Sequence, residues 1–308
     1  MKKVMIIKES HNSFEQFYTN ALKNYADVYS AYKPVGKIRH MIRAVCRRTK
    51  NYFLNQIWME DWKKKLNQYD TVIVFDNSAP HLLLKSIRKI APNIDLKVWL
   101  WNVPERDCSH FKKYAEVVCF DKEYADLHHY RYVHQFLCVN EISLPDALYK
   151  EWDAVYIGAD KGRYQTLRGL AQRLRSENKS FFFYLLRENI KEPYMDDVGI
   201  MISDQMIPYE NTIQYESQCK AIVELCVEGQ KGMTLRTLEA IYLGKKLISN
   251  NSGLRNESFF SSHNIYLLDE QNMDTISDFL DERNIPYDAS LKESYTCSHW
   301  FQEIVYGE

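Results

Sequence analysis

The residues best suited to chemistry fall in one stretch of the second half, 227–251 (VEGQKGMTLRTLEAIYLGKKLISNN). An apolar run at 221–225 (AIVEL) reads as a buried strand and leads into a loop carrying Gly229 and Gly232, with a helix expected from about Met233. The first turn of such a helix points free N–H groups and a positive dipole end at the loop, which suits a diphosphate. Thr234 adds a hydroxyl there. Arg236 and Glu239 stand three apart and share a helix face. Arg236 suits a bidentate phosphate contact, and Glu239, a turn further on, can accept from ribose hydroxyls. An ordinary ion pair on a solvated face is the alternative for the two. Gly244 lets the helix end and turn into the next strand.

A second cluster, Gly158-Ala159-Asp160-Lys161-Gly162-Arg163, follows another strand pattern and opens a helix. Ligands of open α/β sheets bind at such strand ends. Lys161 or Arg163 can neutralise a leaving diphosphate there; a glycine turn with solvated charges is the plainer reading. Arg187 ends the following strand, and Tyr209, after Pro208, offers a face on which a base can stack. Of ten glycines only Gly36 precedes residue 150. Backbone that approaches phosphate closely favours glycine, so a nucleotide is expected on the second half.

The elements that must position these residues come in two series. Residues 3–8, 71–75, 96–101 and 116–120 are short apolar strands separated by amphipathic stretches. The pattern restarts with strands at 153–157, 180–186, 199–203, 221–225, 246–249 and 265–268, and helices at 163–177, 215–220, 235–243, 275–282 and around Trp300. Buried strands alternating with helices indicate parallel α/β sheets, and two successive series indicate two Rossmann-like domains. The boundary is expected near 146–151, giving domains 1–148 and 149–308.

Gly232, Arg236, Glu239-Ala240 and Gly244-Lys245-Lys246-Leu247-Ile248-Ser249-Asn250 together resemble the donor-site signature of bacterial glycosyltransferases that build capsule or lipopolysaccharide O-chains. The likeness is best from Tyr156 to Leu268; the first half matches in strand order and in the phrases Phe75-Asp76 and Phe120-Asp121. The resemblance implies a GT-B fold, two Rossmann-like domains with a cleft between them, the first binding the acceptor and the second a nucleotide-sugar. It implies that Glu239 holds the ribose and Gly232, with Thr234 and Arg236, the diphosphate. Many retaining members carry a second glutamate eight positions before the ribose glutamate; here that position is Lys231, and Glu228 lies three residues earlier. Inversion is therefore expected.

An inverting transfer needs a base for the acceptor hydroxyl. His11 follows the first strand and has an imidazole that accepts a proton near neutral pH. Glu9 on the same loop and Asp76 at the end of strand 71–75 are further candidates, and Asp121 is similarly placed. A strand-end aspartate also often caps a helix. No D-x-D triplet occurs, so no metal or other cofactor is expected.

Bulk properties bound the rest. The 308 residues are 45% hydrophobic and 26% charged, and 40 Lys+Arg balance 41 Asp+Glu. This balance argues against a dedicated nucleic-acid binder. Seven widely spaced cysteines without a CxxC fit reduced thiols in a cytoplasmic protein. There is no signal-peptide pattern and no run of about 18 apolar residues. Residues 37–65 carry nine Lys/Arg against Glu60 and Asp61, interleaved with Phe53, Ile57 and Trp58. Such a stretch suits the anionic inner face of a plasma membrane, as expected of a peripheral enzyme with a lipid-linked glycan acceptor; a solvated helix face is the alternative. The expected function is transfer of a sugar from a nucleotide-sugar donor to a surface polysaccharide. A non-catalytic subunit of the same shape and a sugar-nucleotide epimerase are the rivals.

Overall fold

A computed structural model describes residues 2–33, 36, 57–76, 80–104, 107–138, 151–187, 194, 198–226, 232–268 and 273–307. Gly229, Glu228, Lys231, most of the expected domain boundary and residues 37–56 of the basic stretch lie outside the described residues. The chain forms two compact units, Met1–His134 with Cys297–Glu308, and Gln135–Thr296.

In the first unit, β1 (Val4–Ile7), β2 (Asp27–Tyr29), β3 (Thr71–Phe75), β4 (Asp95–Leu100), β5 (Glu116–Cys119) and β6 (Arg131–Tyr132) form one sheet, ordered β2-β1-β3-β4-β5-β6 and parallel throughout. Helices α1 (Ser13–Leu22), α2 (Pro80–Ile90) and α3 (Lys122–His128) connect the strands. The central strands are buried on both faces, which is why VMII and TVIVF read as unbroken apolar runs. The edge strands β2 and β6 are short and partly exposed, with too little apolar signal to register as strands in the sequence.

The second unit repeats the design. Strands β7 (Trp152–Ala159), β8 (Phe181–Leu186), β9 (Met201–Ser203), β10 (Cys219–Glu224), β11 (Lys246–Ser249) and β12 (Ile265–Leu267) run in the order β12-β11-β10-β7-β8-β9, again parallel. Helix α4 (Tyr164–Ser176) buries Leu167, Leu170, Ala171 and Leu174 on one face. Each such leucine contributes roughly 1.5–3 kcal/mol through burial. Helix α5 (Tyr209–Ser217) starts earlier than expected and stops before Cys219, because Cys219 pairs with Trp152 in the ladder. Helix α6 (Leu235–Leu243) follows β10; α7 (Ile276–Asp281) and α8 (Ala289–Ser294) complete the unit.

The division of the chain differs from the expected 1–148 and 149–308. Helix α9 (Cys297–Tyr306) belongs to the first unit. Trp300 is 1% exposed and packs on Trp99 at 5.5 Å and Phe75 at 6.0 Å between ring centroids. Lys2 adds bonds to the Tyr306 hydroxyl at 3.1 Å and the Val305 carbonyl at 3.0 Å. Burial of a tryptophan outweighs proximity in sequence.

Candidate functional site

Both sheets have a topological switch point, where successive crossovers leave one strand in opposite directions and open a crevice at the carboxyl ends. In the first unit it lies between β1 and β3, in the second between β7 and β10. Glu9, His11 and Asp76 follow β1 and β3. Gly158 and Ala159 end β7 and Asp160 to Arg163 follow it, and Gly232, Thr234 and Arg236 follow β10.

In the second unit, α6 begins with Thr234 as its cap. The Thr234 hydroxyl accepts from the Arg236 amide at 3.0 Å and donates to Glu224. The hydroxyl expected to meet a phosphate is thus engaged both as donor and as acceptor. Glu224, 2% exposed at the end of β10, also accepts from Thr237 at 2.7 Å and from Ser249. Three hydroxyls thus compensate one buried carboxylate. Asn251 donates to the Gly232 carbonyl at 3.3 Å, and Asn250 accepts from the Cys226 amide at 2.7 Å, fixing both ends of the loop after β10. Gly244 closes α6 with φ +65°, the left-handed cap expected of it.

Arg236 and Glu239 meet, but inside the protein. Arg236 Nη1 donates to Glu239 Oε2 at 2.5 Å and to Glu216, and Nη2 donates to the Ile157 carbonyl at 2.7 Å. The Tyr209 hydroxyl donates to Glu239 Oε1 at 2.7 Å. Glu239 is 0% exposed and Glu216 1%, whereas the Arg236 side chain is 24% exposed. The pair therefore ties α5 and α6 to the end of β7. A ribose hydroxyl reaches Glu239 only where Tyr209 yields its place. Tyr209 itself is 6% exposed, so its ring is packed rather than offered to a base. Burial pushes the Glu216 carboxyl well above the usual range; Arg236 opposes this and Glu239 reinforces it. Burial also opposes the charge on Arg236, but Glu216 and Glu239 outweigh it and hold the guanidinium above its ordinary pKa.

Arg163 stands immediately before α4, with Nη1 donating to the Ala159 carbonyl at 3.2 Å. Its Nε is buried without a hydrogen-bond partner among the described residues. Burial raises the Tyr156 phenol, while Arg163 and then Arg236 pull it down, so both guanidiniums bear on one hydroxyl at the switch point. Gly158 lies against that ring: a Cβ there would stand 3.0 Å from the Tyr156 hydroxyl. Lys161 is exposed with φ +44°, and Gly162 has φ +82°. Asp160 is fully buried, accepting from the Tyr164 amide at 3.0 Å and the Tyr194 hydroxyl at 2.7 Å. Arg187, at the end of β8, is one strand away; its Nε lies 3.6 Å from Asp204 and its guanidinium 5.8 Å from the Tyr194 ring. It does not join the cluster at the switch point.

In the first unit, the His11 side chain is 71% exposed, and its Nε2 lies 4.0 Å from Glu9 Oε2. Glu9 Oε1 accepts from the Ala31 amide at 3.1 Å. The two therefore form a histidine–carboxylate pair beside the switch point. Asp76 follows β3 directly; burial raises the thiols of Cys108 and Cys119, and the charge of Asp76 adds to both. Asp121 is a helix cap, with Oδ1 accepting from the Tyr124 amide at 2.9 Å.

The buried carboxylates Glu216 and Glu224 were missed in the sequence. Glu224 carried a signal, a lone charge in the apolar run AIVEL, whereas Glu216 stands among Gln214, Tyr215, Ser217 and Gln218 and carried none. Of the basic stretch, Trp62 is buried and donates to the Ala31 carbonyl at 3.2 Å, whereas Ile57 is 65% exposed. Among the described residues, no helix is long and apolar enough to cross a membrane, and no group of three or more His, Cys, Asp or Glu is placed to hold a metal ion.

No protein-family model matches the sequence, and no curated protein does. The fold is similar to solved structures along nearly all of both chains. A DNA-modifying β-glucosyltransferase has a TM-score of 0.55 at 13% identity, covering 98% of this chain and 94% of that one. The lipopolysaccharide outer core galactosyltransferase WaaB has a TM-score of 0.55 at 14% identity, covering 98% of each chain. A UDP-forming α,α-trehalose-phosphate synthase from Burkholderia xenovorans has a TM-score of 0.59 at 10% identity, covering 99% of this chain and 98% of that one. The chain thus has the GT-B fold, two parallel-sheet α/β domains of six strands each.

Proposed function

We propose that this chain is a glycosyltransferase that moves a sugar from a nucleotide-sugar donor to a glycan acceptor carried on a lipid. The observation that carries the reading is the switch point of the second unit, on a fold shared with known sugar transferases. Arg163 keeps a buried Nε without a hydrogen-bond partner among the described residues there, beside a glycine turn and the start of α6. An anionic diphosphate satisfies that donor, and Lys161 adds charge from the same loop. In this reading the two cations neutralise the leaving nucleoside diphosphate without a metal. Gly232 lets the backbone come close. Glu239 takes a ribose hydroxyl where it now holds Tyr209. Arg187, at the end of β8, is assigned no donor contact in this reading.

The reaction is a single displacement. The acceptor hydroxyl attacks the anomeric carbon, the bond to the diphosphate breaks with its electron pair, and a base takes the hydroxyl proton. His11, with the Glu9 carboxylate 4.0 Å away, is the first choice for that base, with Glu9 and Asp76 the alternatives. One displacement inverts the anomeric centre. A lipid-linked acceptor places the enzyme at the cytoplasmic face of the membrane, with stretch 37–65 on the surface. The near-even charge of the chain favours a glycan over a nucleic-acid acceptor. Full burial of Glu239 favours a second reading, a non-catalytic relative that binds glycan or another transferase.

A thermal-shift panel of UDP, GDP, CMP, TDP and their common sugars, on wild type, Arg163→Gln and Glu239→Ala, decides between them. Saturation at about 100 times the dissociation constant adds roughly 2.7 kcal/mol to the folded state. One nucleotide that stabilises wild type but neither variant supports the donor site and identifies the base. No shift with any nucleotide, in folded protein, selects the non-catalytic reading.

A further inference from the structure

Parallel strands all start at the same edge of a sheet, so the second unit has an edge opposite its switch point. There the first residues of β10 and β11, Glu151 ahead of β7 and the segment after α7 enclose a cavity of about 160 Å³. Lys220, Lys245, Lys246 and Arg283 line it, against Glu151 and Glu282. Lys220 is already paired with Asp153 at 2.8 Å, and Glu282 lies 3.4 Å from His263. Among the described residues, no carboxylate comes within ion-pair distance of Lys245, Lys246 or Arg283. Three cations therefore share a cavity with less negative charge than they need.

Lys246 is the informative member. It is 3% exposed, opens β11 and lies 4.5 Å from the centroid of the Phe279 ring. Its ammonium donates to the Phe279 carbonyl. An ammonium carries three donors, and a buried one left short of acceptors is costly. Burial lowers the hold of Lys246 on its proton, against the attraction of Glu282. Arg283 is exposed, so the cavity is open to solvent. A volume of about 160 Å³ has room for one tetrahedral oxyanion.

We propose that this cavity is a second ligand site of the chain, one that takes a phosphate or phosphomonoester through Lys245, Lys246 and Arg283. The oxyanion supplies the missing acceptors to Lys246 and pairs the two more accessible cations. The site is separate from the switch point and does not depend on the chain being a transferase. Free phosphate and the phosphate of a larger metabolite share this chemistry.

Isothermal titration of the full chain with inorganic phosphate and, separately, glycerol 3-phosphate tests it. The protein is wild type, Lys245→Gln/Arg283→Gln or Arg163→Gln. The double variant changes the cavity's more accessible cations and spares the buried lysine, so folding is retained. Saturable binding to wild type is expected, weakened at least about tenfold in the double variant and unchanged in Arg163→Gln. The tighter of the two probes identifies the source. Three results overturn the proposal: no saturable binding of either probe, the same response to sodium chloride at equal ionic strength, or loss in Arg163→Gln with retention in the double variant. The last places the phosphate at the switch point instead.

Discussion

Replacing Arg236 by methionine isolates what the buried ion network contributes. The guanidinium stands between Glu216 and Glu239, each at most 1% exposed, and bonds the Ile157 carbonyl at the end of β7. Removing one partner of a buried pair costs about 3–5 kcal/mol, since the remaining charge is left unpaired in a poor solvent. The lost bond to Ile157 adds about 1 kcal/mol. The Arg236 side chain is 24% exposed, so entering water relieves part of this penalty, and the low end is the better figure. A cost of about 3 kcal/mol is about a hundredfold in an opening equilibrium. Hydrogen exchange reads it directly: amides of β7 and α6 that open with the second unit should exchange about a hundredfold faster. Amides of β3 and β4 should be unchanged. Adding Glu216→Gln and Glu239→Gln to the methionine variant should restore most of the protection, because the unpaired charges are gone. A cost below about 1 kcal/mol, the range of a solvated surface pair, would refute the reasoning. So would failure of the neutral amides to restore protection.

Further outcomes follow from the same network and from the packing of the first unit. Because the folded pKa of Glu216 is raised, its stabilising contribution is full below the ordinary carboxylate value of 4.5 and fades as pH rises through the folded value. Glu216→Gln should flatten that slope, visible as a difference from wild type in urea midpoints measured from acid to neutral pH; parallel curves would contradict it. Tyr209→Phe removes the hydroxyl on Glu239 at a cost of about 1–2 kcal/mol. The same variant should tighten nucleotide binding, read by titration, if a ribose hydroxyl takes that place; weaker binding would reject the exchange. Trp300→Ala should cost about 3–5 kcal/mol in the first unit. Exchange should rise in β4 and stay unchanged in β10; a change in both would contradict the division of the chain.

Much of this architecture was legible because parallel strands are buried on both faces. TVIVF and KLIS stand in the folded chain where their apolar runs begin and end. The end of the helix Leu235–Leu243 was legible from Gly244, whereas Thr234, read as a phosphate contact, caps its start. Asp27–Tyr29 is an edge strand with one aliphatic side chain and no fully buried residue, so it lacks the apolar run that marked Ile265–Leu267. The candidate site was legible in position but not in wiring. Gly158, Arg163, Gly232 and Arg236 all flank the switch point, as strand ends must. The direction in which Arg236 and Glu239 point depends on Glu216 and Tyr209, which come from another helix. Spacing of three reports a shared helix face and says nothing of what covers that face. The assignment of α9 was hidden for the same reason, since the partners of Trp300 lie some two hundred residues earlier.

The path of the chain between the two units has a consequence for biosynthesis. The second unit is one uninterrupted segment, Gln135–Thr296, whose two ends are pinned together by the Leu137 amide on the Tyr295 carbonyl at 2.8 Å. The first unit is split around it and lacks Trp300 until residues 297–306 have been made. During synthesis every residue of the second unit is therefore made before the first unit receives the side chain that packs on Trp99. A nascent chain stalled just after Thr296 would leave that apolar surface of the first unit uncovered.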